Sequence, residues 1–319
     1  MQRVLVTGAA GFLGYYIARA LAARSDTEVV CVDNFVRGEN DAAYRELLAQ
    51  ANVTGLDLDL NNQSAVASLP EDIDVIFHMA ALNGTQNFYE RPFEVVRCCT
   101  LPTIFLMERY GPLKRLKRFI YAGTSEAYAS TVTRFGWEVP TAEDVPLSID
   151  GVYNPRWSYA ASKLHGEITT VNACAHFGLP FTIVRYHNAY GPRMGDKHVV
   201  PDFLTRAKTG VFELFGYEDT RAFIYAEDAA RATLALAEAP AAAGEIVNVG
   251  GQTEVVIGDL AQTMMRVCGF EGEVVLHPSP SGSVKRRAPK LDKLKAITGF
   301  CEGVALEDGL RRTADYYLR

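Results

Sequence analysis

Apolar and polar positions follow two different periods up to Tyr186. Short apolar runs rich in β-branched residues are typical of strands that are buried on both faces. They predict strands at Val4–Val6, Glu28–Val32, Val53–Leu58, Asp74–His78, Arg118–Ala122 and Phe181–Tyr186. Apolar residues at helical spacing predict helices over Phe12–Leu21, Phe93–Tyr110 and Trp157–His176. This alternation implies a parallel sheet covered by helices on both faces.

The alternation breaks after Tyr186, where glycine and proline cluster and apolar runs become short. The segment 279–289 is also rich in Ser, Gly, Pro and Arg. We therefore predict a main α/β domain at residues 1–185. Residues 186–319 are expected to form a smaller C-terminal lobe, with segments that return to the first domain. Pro102 lies inside one predicted helix and should kink or restart it, because proline has no N–H group to donate.

Composition excludes several classes of protein. The chain has 319 residues, of which 48% are hydrophobic, and a net charge of −6, so a basic nucleic-acid surface is not expected. It has no apolar run of transmembrane length and no signal-peptide pattern. The six cysteines show no CxxC pair and no spacing typical of a metal site, which favours reduced thiols, a cytoplasmic location and no bound metal.

A glycine-rich segment, TGAAGFLG at 7–14, joins the first strand to the first helix. Glycines there allow a tight turn and let a pyrophosphate reach the free N–H groups of the helix N-terminus. Asp33 ends the second strand, where a carboxylate accepts both ribose hydroxyls of NAD and repels the 2′-phosphate of NADP. Arg37, close by, weakens that distinction. The predicted NAD contacts are Gly8, Gly11, Phe12, Leu13, Gly14, Asp33, Asn34, Asp59, Leu60, Ala80, Ala81, Tyr159 and Lys163.

Tyr159 and Lys163 have the i, i+4 spacing that places two side chains on one face of a helix. A nearby ammonium is expected to lower the pKa of the phenol, so that Tyr159 can take a proton from a sugar hydroxyl. Thr124 comes directly after the fifth strand and can hydrogen-bond the same hydroxyl. The three residues form the predicted catalytic group.

In this pattern the chain resembles an extended short-chain dehydrogenase/reductase of the nucleotide-sugar epimerase/dehydratase family. The matching segments occur in family order along nearly the whole chain: TGAAGFLG, Asp33, FHMAA at 77–81, AGTSEAY at 122–128, YAASK at 159–163, HNAYGPR at 187–193 and TRAFIYAED at 220–228. The resemblance implies a Rossmann-type, doubly wound parallel sheet, bound NAD and a nucleotide-sugar substrate. It also implies a homodimer formed through a helix bundle, to which Phe105, Leu106, Ala161, Leu164 and Ile168 could contribute.

The same resemblance implies roles for individual residues. Thr124, Tyr159 and Lys163 become the catalytic triad, and Lys163 also binds the nicotinamide ribose. Asn188 contacts the sugar diphosphate, while Arg221 and either Arg286 or Arg287 clamp the phosphates. The remaining substrate candidates are Asn83, Gly84 and Thr85 in the loop 82–89, together with Ser125, Val199 and Phe215.

The first reaction step implied by the family is oxidation of the sugar at C4, but the outcome is left open. Transfer of hydride back to the other face of the ketone gives 4-epimerisation, which the sequence analysis favours. The alternative is a lyase, a UDP-hexuronate decarboxylase or a sugar-nucleotide dehydratase, because Glu126 follows Thr124 in a triplet that resembles those enzymes. A net oxidoreductase and a non-catalytic NAD-binding protein are further alternatives.

Overall fold

The computed structural model describes residues 1–195, 199–207, 211–270, 273–279 and 284–318. Strands and helices alternate up to Tyr186: β1 (Gln2–Thr7), α1 (Phe12–Ala22), β2 (Thr27–Asp33), α2 (Ala42–Leu48), β3 (Val53–Asp57), α3 (Gln63–Ala67), β4 (Val75–His78), α4 (Thr85–Glu90), α5 (Pro92–Tyr110), β5 (Arg118–Thr124), α6 (Ala129–Phe135), α7 (Trp157–Phe177) and β6 (Phe181–Tyr186). A short 3₁₀ helix, Ser125–Tyr128, follows β5.

The later part of the chain adds shorter elements. These are β7 (Ala189–Tyr190), α8 (Val199–Ala207), β8 (Val211–Phe215), β9 (Thr220–Ala222), β10 (Ile224–Tyr225), α9 (Ala226–Glu238), β11 (Glu245–Val249), β12 (Glu254–Val256), α10 (Ile257–Cys268), β13 (Glu273–His277), β14 (Arg286–Arg287), α11 (Asp292–Thr298) and α12 (Leu306–Tyr317). A second 3₁₀ helix covers Pro240–Ala242.

The main sheet has seven strands in the order β11-β6-β5-β4-β1-β2-β3. All six pairings are parallel. This is the doubly wound, Rossmann-like sheet that the sequence predicts, and the fold class is confirmed. The seventh strand, β11, comes from beyond residue 186 and pairs with β6.

Each face of the sheet has its own apolar core. Val4 and Val6 face the core shared with α1 and α9, whereas Leu5 between them faces the core shared with α5 and α7. Burial on both faces explains why the strands read as continuous apolar runs in the sequence. The last part of the chain builds three small sheets, β7–β10, β9 with β12 and β14, and β8–β13, around a separate core.

Three local predictions are wrong. Helix α5 continues through Pro102 without restarting, because burial of Pro102 and of neighbours such as Leu106 holds the helix against the sheet despite the missing N–H donor. Leu106 is fully buried in the core of its own chain and is not free to contact a second subunit. The segment predicted as loop 82–89 contains α4, which begins at Thr85.

Among the described residues, no helix combines the length and the apolar character that a membrane span requires. No group of three or more His, Cys, Asp or Glu side chains in that part of the chain is arranged to hold a metal ion.

Candidate active site

A cleft of about 370 Å³ opens at the carboxyl ends of the central strands. Gly8 follows β1, Asn34 follows β2, Met79 follows β4 and Ser125 follows β5, and all four residues line the cleft. In an open parallel sheet this edge is where ligands bind.

The glycine-rich turn closes one end of the cleft. Gly8 has φ +66°, and a Cβ atom on Gly14 would lie 2.0 Å from the carbonyl oxygen of Gly8. No side chain caps the N-terminus of α1 at Gly11, so its N–H groups and the positive end of the helix dipole face the cleft. Phe12 and Leu13 line the cleft beside them. The arrangement is a cradle for a pyrophosphate.

Asp33 lies next to this turn at the end of β2. Its Oδ2 atom accepts a hydrogen bond from the N–H of Ala10 at 2.9 Å, and its Oδ1 atom accepts one from Phe35 at 2.9 Å. Burial raises the pKa of the Asp33 carboxyl, while these N–H donors partly offset the rise. Each oxygen keeps lone pairs for a further donor, which fits the two hydroxyls of a ribose.

The remaining cofactor candidates line the same cleft. The side-chain amide of Asn34 donates to Oδ1 of Asp59 at 3.2 Å, which links the ends of β2 and β3. Leu60 is buried at that end, and Ala80 and Ala81 form the wall after β4. The whole set fits a dinucleotide laid across the strand ends.

Tyr159, Lys163 and Thr124 line the other half of the cleft. The ring of Phe88 stacks on the ring of Tyr159, with centroids 4.9 Å apart. The Nζ atom of Lys163 lies 4.5 Å from the ring centroid of Tyr121, where it gains a cation–π interaction. The Oγ1 atom of Thr124 accepts a hydrogen bond from the N–H of Glu126 at 3.2 Å.

The electrostatics of this group differ from the prediction. Burial raises the pKa of the Tyr159 phenol well above its usual range, so desolvation overrides the lowering expected from Lys163. Burial also lowers the pKa of the Lys163 ammonium. Both shifts disfavour the charged form of the buried group.

Glu126 lies in the wall of the cleft and is bound by two arginines. The Nη1 atom of Arg287 donates to Oε1 of Glu126 at 2.6 Å, and Nη2 of Arg156 lies 3.5 Å from Oε2. Burial alone would raise the pKa of Glu126, but Arg287 and Arg156 together hold it below its usual range. Glu126 is therefore a carboxylate at neutral pH.

Some of the predicted substrate-binding residues line the cleft and others do not. Asn83, Gly84, Thr85, Ser125, Asn188 and Arg287 line the cleft. Arg286 points away from it and forms a bidentate ion pair with Glu254. Of the two neighbouring arginines that the resemblance left open, the geometry thus favours Arg287.

Two further candidates, Arg221 and Phe215, lie outside the cleft lining. Arg221 donates to the backbone carbonyls of Thr220 and Lys285, and burial, with a contribution from Arg287, lowers its pKa to about 10. Phe215 stacks on His277 with centroids 4.5 Å apart. Val199 begins α8, and its side chain lies outside the described part of the structure.

Sequence reasoning missed two contacts of the cleft. Arg37 donates to the carbonyl of Asn83 and so connects the segment after β2 to the segment before α4. Phe88 contacts Tyr159 because it lies on the inner side of α4, a helix that the apolar pattern does not predict.

Two buried histidines take no part in the cleft. His78 bridges the hydroxyls of Thr7 and Thr103, at 2.8 and 3.1 Å. His187 contacts Oδ1 of Asn248 at 3.1 Å. Burial lowers the pKa of each imidazole to about 3, so both are neutral and serve the packing.

Comparison with known proteins identifies the family of this chain. Residues 4–250 match the model of the NAD dependent epimerase/dehydratase family. The chain is 32% identical to UDP-N-acetyl-alpha-D-glucosaminuronate decarboxylase of Bacillus cytotoxicus, covering 99% of this chain and 98% of that protein. It is 28% identical to UDP-glucuronic acid decarboxylase 1 of Xenopus tropicalis, covering 99% of this chain and 72% of that protein.

Two similar solved structures are of 4-epimerases, whereas the two relatives above are decarboxylases. UDP-glucuronic acid 4-epimerase from Bacillus cereus, in complex with UDP-glucuronic acid and NAD, superposes with a TM-score of 0.87 at 27% identity and covers 99% of both chains. UDP-glucose 4-epimerase from Thermotoga maritima superposes with a TM-score of 0.86 at 27% identity, again over 99% of both chains. The chain therefore belongs to the NAD-dependent epimerase/dehydratase family, the extended short-chain dehydrogenases/reductases that modify nucleotide sugars with NAD as cofactor.

Proposed function

We propose that this protein is a lyase that decarboxylates a UDP-linked hexuronate through a transient 4-ketone. The observation that carries the proposal is the ion pair between Glu126 and Arg287 in the cleft wall, with Arg156 behind it. A 4-epimerase needs no carboxylate–guanidinium pair at the sugar. A decarboxylase needs a cation to hold the C6 carboxylate and a polar group to manage a proton at C5.

The relatives support the same choice. The Bacillus cytotoxicus protein, 32% identical over nearly its full length, is named as a decarboxylase of a UDP-linked hexuronate. The Bacillus cereus 4-epimerase also binds UDP-glucuronic acid, so both point to a carboxylate at C6 of the sugar.

In the proposed reaction Tyr159, as a phenolate stabilised by Lys163, takes the proton of the C4 hydroxyl. Thr124 hydrogen-bonds the same oxygen and fixes its direction. Bound NAD⁺ supplies the acceptor for the hydride leaving C4 and later returns it. Lys163 keeps its positive charge next to the phenolate, which offsets the cost of burying either charge alone.

The ketone at C4 makes the sugar a β-keto acid. The C5–C6 bond then breaks, CO₂ leaves, and the electron pair moves into the C4 carbonyl as an enolate. One proton from solvent, delivered beside Glu126 and Arg287, is added at C5. Tyr159 returns its proton to the C4 oxygen as the ketone is reduced, so the whole reaction consumes one proton and is redox-neutral.

A second candidate function is 4-epimerisation of the same hexuronate, which the sequence analysis favoured. The specific observation in its favour is the TM-score of 0.87 with an epimerase that binds UDP-glucuronic acid. That reaction needs only Thr124, Tyr159 and Lys163, and it would leave Glu126 with an orienting role.

Glu126→Gln separates the two candidates. We expect the variant to form the 4-ketone, seen as NADH absorbance, but to lose decarboxylation by about 10²-fold or more, because a neutral amide cannot hold Arg287 or manage the C5 proton. The measurement is a product mass spectrum with UDP-glucuronate and with UDP-N-acetylglucosaminuronate.

The matched control is Glu254→Gln, which breaks a comparable Glu–Arg ion pair outside the cleft. It should convert substrate like the wild type. Wild-type product of unchanged mass and altered retention time would instead establish epimerisation.

A further inference from the structure

A buried ion pair lies behind the predicted catalytic residues. Arg185 on β6 and Glu167 on α7 have side chains only 3% and 4% exposed. The Nε atom of Arg185 donates to Oε1 of Glu167 at 3.0 Å, and Nη2 donates to Oε2 at 2.8 Å. Two parallel bonds of this kind fix the direction of both side chains as well as their distance.

The third nitrogen of the same guanidinium binds the 3₁₀ helix that follows β5. Nη1 of Arg185 donates to the hydroxyl of Tyr128 at 2.7 Å and to the carbonyl of Glu143 at 3.0 Å. Tyr128 is the last residue of the 3₁₀ helix that carries Ser125 and Glu126. Its hydroxyl in turn donates to Oδ1 of Asn248 at 2.9 Å, so the Tyr128 hydroxyl both accepts and donates a hydrogen bond.

Helix α7 also lies unusually close to β5. A Cβ atom on Gly123 would be 2.8 Å from Oε1 of Glu167, and one on Gly166 would be 1.9 Å from the hydroxyl of Tyr121. The two glycines let the helix approach the strand, and Glu167 lies one helical turn beyond Lys163. The position of Lys163 over the Tyr121 ring depends on this approach.

We propose that Arg185 is a positioning residue for catalysis. Through Glu167 it holds the helix that carries Tyr159 and Lys163, and through Tyr128 it holds the turn that carries Ser125 and Glu126. One buried guanidinium thus sets the separation between the two halves of the active site. The proposal rests on the assigned roles of Tyr159 and Lys163, and it holds for any reaction that begins with oxidation at C4.

The test compares Arg185→Met and Arg185→Lys in the NAD-loaded enzyme. We expect kcat to fall by about 10²-fold in Arg185→Met, since a displacement of about 1 Å in a reacting group has that cost. KM for the nucleotide sugar should change by less than about threefold, because the groups that line the cleft remain. Arg185→Lys should recover little, because an ammonium cannot bond both arms at once.

The matched control is Arg118→Met. Arg118 is another buried arginine. It begins β5, at the end of the strand away from the cleft, and donates to Oγ1 of Thr182 at 2.9 Å and to the carbonyl of Ala239 at 3.1 Å. It should lower the melting temperature without lowering kcat when all proteins are assayed in the folded range. Equal kcat in Arg185→Met and Arg118→Met would overturn the proposal and make Arg185 a purely structural residue.

If Arg185→Met does not fold, Tyr128→Phe decides the question. It removes only the hydroxyl that joins Arg185 to the turn and leaves the bonds to Glu167 intact. We expect kcat to fall by about tenfold, with KM nearly constant. An unchanged kcat would overturn the proposal. The NADH transient of the first turnover reports C4 oxidation whichever product is released, so this outcome is independent of whether the enzyme is a decarboxylase.

Discussion

At the scale of single residues, desolvation dominates the chemistry of the cleft. Tyr159 is buried, and this burial raises the pKa of its phenol although a lysine lies one turn away. Burial thus favours the neutral phenol, and in the proposed mechanism the phenolate forms next to a charged Lys163 once the substrate hydroxyl is in place.

Tyr159→Phe tests this assignment. We expect turnover to fall by about 10³-fold or more, because the variant has no group to take the C4 proton. Binding of NAD, measured by calorimetry, should stay close to that of the wild type, since the phenyl ring can keep its stack on Phe88. Turnover within about tenfold of the wild type would remove Tyr159 from the mechanism.

Glu126 predicts a pH dependence of stability. Its pKa in the folded protein lies below that of the unfolded chain, because Arg287 and Arg156 outweigh the effect of burial. The stabilisation is fully present above the unfolded value of about 4.3 and is lost as pH falls through the lower, folded value. Urea unfolding of wild type and Glu126→Gln should therefore show a stability difference that shrinks below about pH 4.3. A difference independent of pH would contradict the ion pair.

The positions of cleft residues were predictable where the main chain dictates them. Gly8, Gly14 and Asp33 could be placed in the cleft because a turn and a strand end fix their positions. The contact between Glu126 and Arg287 could not, because the two lie 161 positions apart and no local pattern records the pairing. The same holds for Phe88, whose stack on Tyr159 depends on the path of a short helix.

At the scale of elements, the glycine turn and the helix after it form one anion site. Gly14 sits where any side chain would strike the carbonyl of Gly8. The exposed N–H groups of α1 keep their direction only while that close contact is preserved. The cofactor site is thus a property of the turn rather than of one side chain.

Gly14→Ala should displace this turn. We expect the Kd for NAD to rise by more than about tenfold, since the new Cβ cannot be placed without moving the backbone. Gly151→Ala is the control, because a Cβ there meets nothing within 4 Å. Titration of NAD by calorimetry checks both, and an unchanged Kd in folded Gly14→Ala would contradict the cradle.

Long elements were predicted well and short ones were not. The strands from β1 to β6 and helices α1, α5 and α7 end within a few residues of the predicted bounds, because their buried faces give a clear apolar pattern in the sequence. Helices α2, α3 and α6 were missed, since five to seven residues carry too little periodicity. The return of later segments to the first domain was predicted, but β11 itself was not identified, because the strand it pairs with lies some sixty positions earlier in the chain.

At the scale of the whole molecule, helices α5 and α7 each expose large apolar side chains among polar ones. Phe93 and Ile168 are 78% and 56% exposed, although Leu106 of the predicted set is buried within its own chain. The homodimer through these helices stays a prediction. Sedimentation velocity should show a dimer for the wild type and a monomer for Ile168→Glu. The control Val152→Glu, at a loop position 80% exposed, should remain dimeric. A 35 kDa species alone for the wild type would contradict the dimer.

The central claim is that the cleft decarboxylates a hexuronate, and release of the labelled C6 carboxyl carbon tests it most directly. The purified protein is incubated with NAD⁺ and UDP-glucuronate or UDP-N-acetylglucosaminuronate that carries ¹³C at C6, and the gas phase is analysed by mass spectrometry. The account predicts ¹³CO₂ from at least one substrate, in amounts equal to the UDP-pentose formed. Conversion of both substrates with the label retained in the sugar would contradict it.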